Sequence, residues 1–332
     1  MKNEPRAIAR SIHWLLPDRD LQIEQIRGHG MASVRLRSGP SISAWMNLPL
    51  TYCTAGDRVP ASVNYLFIGK ILFNAGSNRG EQLLCQIQAA KQSGAKIYLD
   101  YTDDHLGLGG EAGIFYAKAL NLVDACVVPS DAMKTIVSTY TDDNVFIIPD
   151  PLEIESQAVH HKAHNPKRLF WFGHSTNVPF LVHFINSLPQ SLDRVQLIAL
   201  SNESGISSIR RKIVHPSVEA RVDLWSTEKM LLMAKYADVC IIPSSTSDPR
   251  KVGASANRLI TAFALGLPTA AEQLASYLPF ANYFTDIRSP EFFELLQNPL
   301  AFLDRTKQSQ VAGIEEFSVD RIGGLWVELL GK

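Results

Sequence analysis

The chain has too little of three things to belong to several large protein classes. Its four cysteines, Cys53, Cys85, Cys126 and Cys240, are far apart and form no C-x-x-C pair. That excludes a disulfide framework and cysteine-based zinc spacing. Three of them lie in apolar runs, the setting of buried free thiols in a reducing compartment. An excess of either charge is also missing: 32 Lys and Arg against 33 Asp and Glu leave a formal net charge of -1. Dedicated nucleic-acid binders carry an obvious basic excess, so no nucleic-acid partner is expected. No stretch approaches the ~20 apolar residues that span a bilayer. The opening residues, MKNEPRAIARSIHWLLPDRD, lack the apolar core of a signal peptide, so a cytoplasmic protein is expected.

What is present is an ordinary globular composition, 46% hydrophobic and 20% charged, spread over 332 residues. That length is long for one core and predicts about two domains. Strand-like and helix-like runs alternate along most of it. In the first half, strands are expected at 11–17, 64–73, 95–101, 124–130 and 144–150. Helices are expected at 20–30 with Asp20 as cap, at 78–93 ending before Gly94, at 110–121, and after a Ser130 cap. ASVRLRS and SISAWMNL read as strands or loops. Residues 151–166 are polar, bounded by prolines and aperiodic, which marks a linker. The cycle then restarts, with strands at 168–173, 195–201, 220–226, 239–244 and 267–272. Helices fall at 178–188, 205–214, 227–237, 289–299 and 301–316, and a last one follows Phe317 with Ser318 as cap. Alternation on both sides of one linker predicts an α/β protein of two doubly wound, Rossmann-like domains, 1–150 and 167–315.

The densest signal is KVGASANRLITAFALGLPTAAE, residues 251–272. A loop of small polar residues follows strand VCIIPS and runs into an amphipathic helix that stops at Gly266. Such a loop sits at a carboxyl edge, where α/β sheets bind ligands. Lys251, Ser255, Asn257 and Arg258 place positive charge and hydrogen bonds beside a helix N-terminus, a combination suited to phosphate. A second loop follows strand 168–172. There Gly173 permits close backbone approach, and His174, Ser175, Thr176 and Asn177 supply polar groups before the next helix. A third, DYTDDHLGLGGEAG, follows strand 95–101. Asp103, Asp104 and His105 there are candidates to deprotonate a hydroxyl, or else an acidic turn capping the next helix. Glu272 and Ser276, just beyond a strand of the second half, can also reach a ligand. Asp248 before Pro249 reads first as a turn.

Several of these stretches together resemble the nucleotide-sugar glycosyltransferases of the GT-B fold, group 1 or family 4-like. IIPSSTSDPRKVGASANRLITAFALGLPTAA is similar to that family's strand, loop and helix in the carboxyl domain. NLVDACVVPSDAMKTIVSTYTDDNVFIIPD resembles the end of its amino domain. RLFWFGHSTN resembles the first strand and Gly loop of the carboxyl domain, and EFSVDRIGGLWVELL its terminal helix. The resemblance covers roughly 120–330. It implies two domains facing across a cleft, with helix 316–332 crossing back to the amino domain. It implies a metal-independent hexosyltransferase in polysaccharide biosynthesis that moves a sugar from a nucleotide-sugar donor to a hydroxyl. The acceptor would be a glycan, a lipid-linked sugar or a small molecule; a lipid-linked acceptor brings contact at the membrane periphery. Gly173, Ser175, Asn177, Lys251, Ser255, Asn257 and Arg258 would hold the donor. Asp103, Asp104 and His105 would face the acceptor. The donor is a substrate, and no separate cofactor is implied.

The chain departs from that family at one point. Retaining members often carry two glutamates with seven residues between them around the helix, one touching the transferred sugar and one the ribose. Those positions are Gly253 and Thr261 here, a degenerate motif. It keeps two other classes open: a non-catalytic binding protein built on the same fold, and a nucleotide-sugar epimerase. Two further patterns lack the context they need. G-L-G-G-E-A at 107–112 satisfies a dinucleotide fingerprint, but five residues separate it from its strand. HHKAH at 160–164 has chelating spacing but lies in the linker with no acidic or cysteine partner, so no metal site is expected.

Overall fold

Short runs rich in Val, Ile, Leu and Phe, most of them buried on both faces, build two parallel sheets in the computed structural model. The structure describes residues 9–18, 21–26, 28–73, 78–107, 109–142, 144–159 and 162–331. The first sheet holds β1 (Arg10–Leu15), β2 (Thr51–Gly56), β3 (Tyr65–Ile68), β4 (Lys96–Asp100), β5 (Ala125–Val128) and β6 (Asn144–Ile147), in the order β2-β1-β3-β4-β5-β6. The second holds β7 (Lys167–Phe172), β8 (Val195–Ser201), β9 (Val218–Leu224), β10 (Val239–Ile242), β11 (Thr269–Ala271) and β12 (Thr285–Asp286), in the order β12-β11-β10-β7-β8-β9. Parallel strands need crossover helices, and these follow most strands, which gives the α/β architecture.

The chain divides into two compact units. One comprises the chain up to Pro151, the short segment Val252–Ser255, and the chain from Ser318 onward. The other comprises Leu152–Lys251 and Ala256–Phe317. Within the first unit, helix Val319–Leu329 packs on helix Gly39–Met46. Trp326 lies edge-on to Trp14, Trp45 and Phe67, and the Trp45 indole N–H donates to the Trp326 carbonyl at 2.9 Å. In the second unit, Leu152 and Ile154 are buried in the core, and the Gln157 N–H donates to Ala264 O. From Leu152 onward, the described part of the expected linker therefore packs on the second unit.

Local chemistry sets the helix starts. Ser130, Ser226 and Ser318 each accept a hydrogen bond from the backbone N–H three residues on, as N-caps do. Gly266 ends helix Asn257–Ala264 with φ +72°, and a Cβ there would meet Ala158 O at 2.6 Å.

Three sequence expectations are corrected. ASVRLRS and SISAWMNL are neither strand nor loop: Val34–Ser38 is a π-helical turn that runs into the α-helix. Ser38 Oγ donates to Val34 O, and the turn carries Arg37 into the interior. There Arg37 holds Asp100 at 2.6 Å, reaches Asp150 and lies over the Trp326 ring. Strand β2 was not anticipated; it is an edge strand with exposed Tyr52 and little periodicity. His164 does have an acidic partner: the buried Asp238 carboxylate accepts from its backbone N–H and contacts its Nδ1 at 2.8 Å. Asp20, His160 and His161 lie outside the described residues. All four cysteines are free, Cys85 exposed and the others buried. Among the described residues, no helix is long and apolar enough to cross a membrane.

Candidate functional site

In the second unit the strand order reverses between β7 and β10, which are adjacent in space but not in sequence. Ligands of doubly wound sheets bind at the carboxyl ends of such a pair. The loop after β7 carries Gly173, His174, Ser175 and Asn177, and the chain after β10 leads to Lys251, Asn257 and Arg258. The structure brings several of these together. Arg258 Nη2 donates to Phe172 O at 2.8 Å and lies 3.4 Å from where a Cβ on Gly173 would stand. Lys251 Nζ donates to Asn177 Oδ1 at 2.6 Å and sits 5.7 Å from the Phe180 ring centroid. The Ser175 N–H donates to Asn202 Oδ1 at 2.9 Å, so Asn202, at the end of β8, orients the glycine loop. Sequence reasoning passed over Asn202, although a polar residue ending an apolar strand at this edge was the available signal. Asn257 opens helix Asn257–Ala264, which has no side-chain N-cap. Ser255 sits in Val252–Ser255, the segment that packs with the first unit.

The electrostatics centre on Arg258. Its guanidinium stacks near Trp171 and Phe172, with ring centroids 5.6 and 5.8 Å away. Its Nε is buried, with no hydrogen-bond partner among the described residues. Among the described residues it has no carboxylate in ion-pair range. Burial pushes its pKa below the ordinary arginine value, against weaker opposing effects from Tyr277 and Cys240. Burial also drives the Tyr277 hydroxyl up and the Cys240 thiol up to about 12, so both stay neutral and neither offsets the cation. An arginine does not shed its proton under these conditions. The result is a half-buried cation with no carboxylate partner among the described residues, a charge that an anionic ligand would meet.

A cavity of about 170 Å³ lies in the same unit, over the carboxyl ends of β10 and β11 and the residues after β12. Phe180, Phe184, Phe293, Ser244, Glu272 and Arg288 are among its walls. Arg288 Nε donates to both oxygens of the buried Glu272 carboxylate, at 2.7 and 2.8 Å. Asp248 accepts from the Arg250 N–H and pairs with the Arg250 guanidinium at 2.6 Å, which fits its reading as a turn.

In the first unit, Asp103, Asp104 and His105 follow β4. Asp104 is occupied by the turn: Oδ1 accepts from the Gly107 N–H at 3.0 Å and from the Tyr101 hydroxyl at 3.2 Å. Asp103 Oδ2 accepts from Lys70 Nζ at 2.7 Å, and Lys70 follows β3. The His105 ring stacks on Tyr116, 5.2 Å apart and 10° from parallel. Burial lowers its pKa, partly opposed by Asp103, so the imidazole is neutral at pH 7. Its Nε2 is buried, with no hydrogen-bond partner among the described residues. This is the protonation state of a general base, but a substrate hydroxyl reaches the atom only after the loop shifts.

The degenerate glutamate positions have a structural reading. A Cβ on Gly253 would stand 2.4 Å from Met133 Cε, so a longer side chain there requires Met133 to move. Thr261 is buried inside the helix. Among the described residues, no group of three His, Cys, Asp or Glu is placed to hold a metal ion.

No family model matches the sequence, and no curated protein sequence matches it significantly. Solved structures do match. HepE of Anabaena, determined with UDP-glucose, aligns over 97% of this chain and 99% of its own, with TM-score 0.61 and 11% identity. An α-glucosyltransferase determined with UDP-glucose and DNA containing an abasic site aligns over 98% and 100%, with TM-score 0.65 and 10% identity. Sucrose-phosphate synthase of Thermosynechococcus elongatus aligns over 97% and 98%, with TM-score 0.57 and 11% identity. The chain therefore has the GT-B glycosyltransferase fold, as the resemblance implied. Likeness of fold does not fix chemistry. One of these neighbours was solved with DNA, so the fold does not exclude a nucleic-acid acceptor; that expectation rests on this chain's charge alone.

Proposed function

We propose that the protein transfers a sugar from a nucleotide-sugar donor to a hydroxyl of a glycan, lipid-linked or small-molecule acceptor. The observation that carries this reading is the under-compensated Arg258 guanidinium at the strand-order reversal, beside Gly173, in the same unit as the Lys251–Asn177 pair. A departing nucleoside diphosphate develops negative charge on its phosphate oxygens. Fixed cations at that point stabilise it more as the bond breaks than before. Arg258 offers a planar fork and Lys251 a point charge steered by Asn177. Whole-chain likeness of fold to proteins solved with UDP-glucose supports the same donor class. On the acceptor side, the neutral His105, with Asp103 and Lys70 beside it, is the candidate base. A cytoplasmic protein with a lipid-linked acceptor would work at the membrane periphery.

Thermal denaturation with UDP, GDP, CMP, ADP and dTDP, each with and without Mg²⁺, tests the donor assignment. A ligand of the native state raises the melting temperature by mass action. One responding nucleotide selects the sugars for a transfer assay, in which Arg258→Ala should lose turnover and remain folded. A second reading has its own observation: neither glutamate position is acidic, and Gly253 leaves no room for one without movement of Met133. Nucleotide binding with neither transfer nor hydrolysis of any donor would favour a non-catalytic binding protein. Isomerised donor formed without acceptor would favour an epimerase.

A further inference from the structure

Of the residues assigned to a ligand above, only Glu272 lines the cavity of about 170 Å³ in the second unit, yet the cavity comes close to Lys251. Phe180 forms part of its wall and also lies under Lys251 Nζ. Ser244 lines it two residues beyond the end of β10, the strand that carries the Lys251 loop. An anion held by Lys251 would therefore lie near a wall of the cavity.

The size decides what can enter. Pockets for whole drug-sized ligands run from about 300 to 1,000 Å³. This cavity admits a single ring and not an entire nucleotide sugar. Its chemistry decides which ring. Phe180, Phe184 and Phe293 offer flat apolar faces. Between them stands a carboxylate bonded to a guanidinium: Glu272 is 7% exposed, whereas Arg288 is 59% exposed. Such a pair presents hydrogen-bond acceptors and donors side by side. A pyranose ring needs both, because each hydroxyl donates and accepts, while its C–H face lies on an aromatic ring. A nucleobase could also stack on the aromatic faces, but it would meet the pair only through one edge, whereas a pyranose offers hydroxyls all round its ring.

We propose that this cavity binds the hexose ring of the donor, with Glu272 and Arg288 as its specificity-determining residues and Phe180, Phe184 and Phe293 as its walls. The proposal rests on the transferase reading, because it places the ring next to the diphosphate held at Lys251 and Arg258. Glu272 accepts from ring hydroxyls, and Arg288 donates to them from its N–H groups not bonded to Glu272. Discrimination among sugars then follows from the hydroxyl configuration opposite this pair.

Isothermal titration separates the two readings. The probes are the nucleoside diphosphate that responds in the denaturation panel, and the same diphosphate carrying glucose, galactose, mannose or N-acetylglucosamine. The proteins are wild type, Glu272→Gln, which keeps the side-chain volume, and Phe293→Ala, which removes a half-buried wall. One sugar should bind wild type about tenfold more tightly than the bare diphosphate, the scale of one hydrogen bond to a charged group. That gain should vanish in both variants while affinity for the bare diphosphate is kept. If no sugar adds affinity in wild type, or if the gain persists in both variants, the cavity proposal is overturned and the transferase reading stands. If no nucleotide binds at all, the transferase reading falls and the proposal falls with it.

Discussion

Replacing Arg258 with methionine should leave the protein at least as stable as the wild type, while affinity for a nucleoside diphosphate falls about tenfold or more. Methionine follows the path of the arginine stem but carries no charge. The change removes a hydrogen bond from a charged group to Phe172 O, a loss of about 1.5–3 kcal/mol. It also removes cation–π contacts with Trp171 and Phe172, about 1–2 kcal/mol in a desolvated setting. Against this, it relieves the orphaned Nε–H, roughly 1–3 kcal/mol. It relieves as well the partial desolvation of a half-buried cation without a carboxylate, roughly 2–3 kcal/mol and below the penalty of full burial. The balance favours methionine by about 1 kcal/mol, or roughly 2–4 °C in melting temperature for a unit of this size. Scanning calorimetry of both proteins without ligand reads it directly. A methionine variant that melts several degrees lower would refute the reasoning, because the guanidinium would then be a structural strut with its charge already met. Stability given up at a functional position is the expected signature of a binding residue.

Two further outcomes follow from the structure. His13 is buried, with Nδ1 2.7 Å from Thr54 Oγ1 and Nε2 facing Gly56 O, and burial lowers its pKa from 6.5 to about 4. Below pH 6.5 the unfolded chain therefore takes up a proton that the folded chain refuses. Stability is full above pH 6.5 and falls toward pH 4 by about 3 kcal/mol in total from this residue. Denaturant melts of wild type and His13→Gln across that window should show a shallower decline in the variant; equal slopes would contradict the assignment. His105, also lowered by burial, adds to the decline in the same direction in both proteins. Trp326→Ala removes a fully buried ring packed on Trp14, Trp45 and Phe67, and should destabilise by about 3–5 kcal/mol in a urea titration. A loss under 1 kcal/mol would mean that the terminal helix contributes little to the first unit.

The alternation of strands and helices was legible because each crossover unit is local. Ser130 and Ser318 cap the helices they precede, and Gly266 stops helix Asn257–Ala264 with the positive φ its position requires. The loop after β10 could be read as a ligand edge for the same reason: strand, small polar residues and helix lie within one short stretch. Residues 32–48 were misread because their structure is decided from a distance. Arg37 is drawn inward by Asp100 and the Trp326 ring, and Trp45 by the Trp326 carbonyl, 281 positions away. Period-two hydrophobicity at Val34 and Leu36 imitates a strand, and no local signal shows the partners. The pairing of Arg288 with Glu272 was invisible for the same reason, since the two residues end different strands. Asp104 shows the reverse case: three acidic and imidazole groups in a row look like a site, but the middle one is used by its own turn.

The central claim is that the strand-order reversal in the second unit is an anion site for a nucleoside diphosphate. Isothermal titration of the best-responding diphosphate, and of its monophosphate, into wild type and Arg258→Met tests it most directly. The diphosphate should bind wild type more tightly than the monophosphate, and the variant should lose this preference, by about tenfold or more for one charged hydrogen-bond pair. Equal binding of the diphosphate by both proteins would contradict the account, because Arg258 would then hold no part of the ligand.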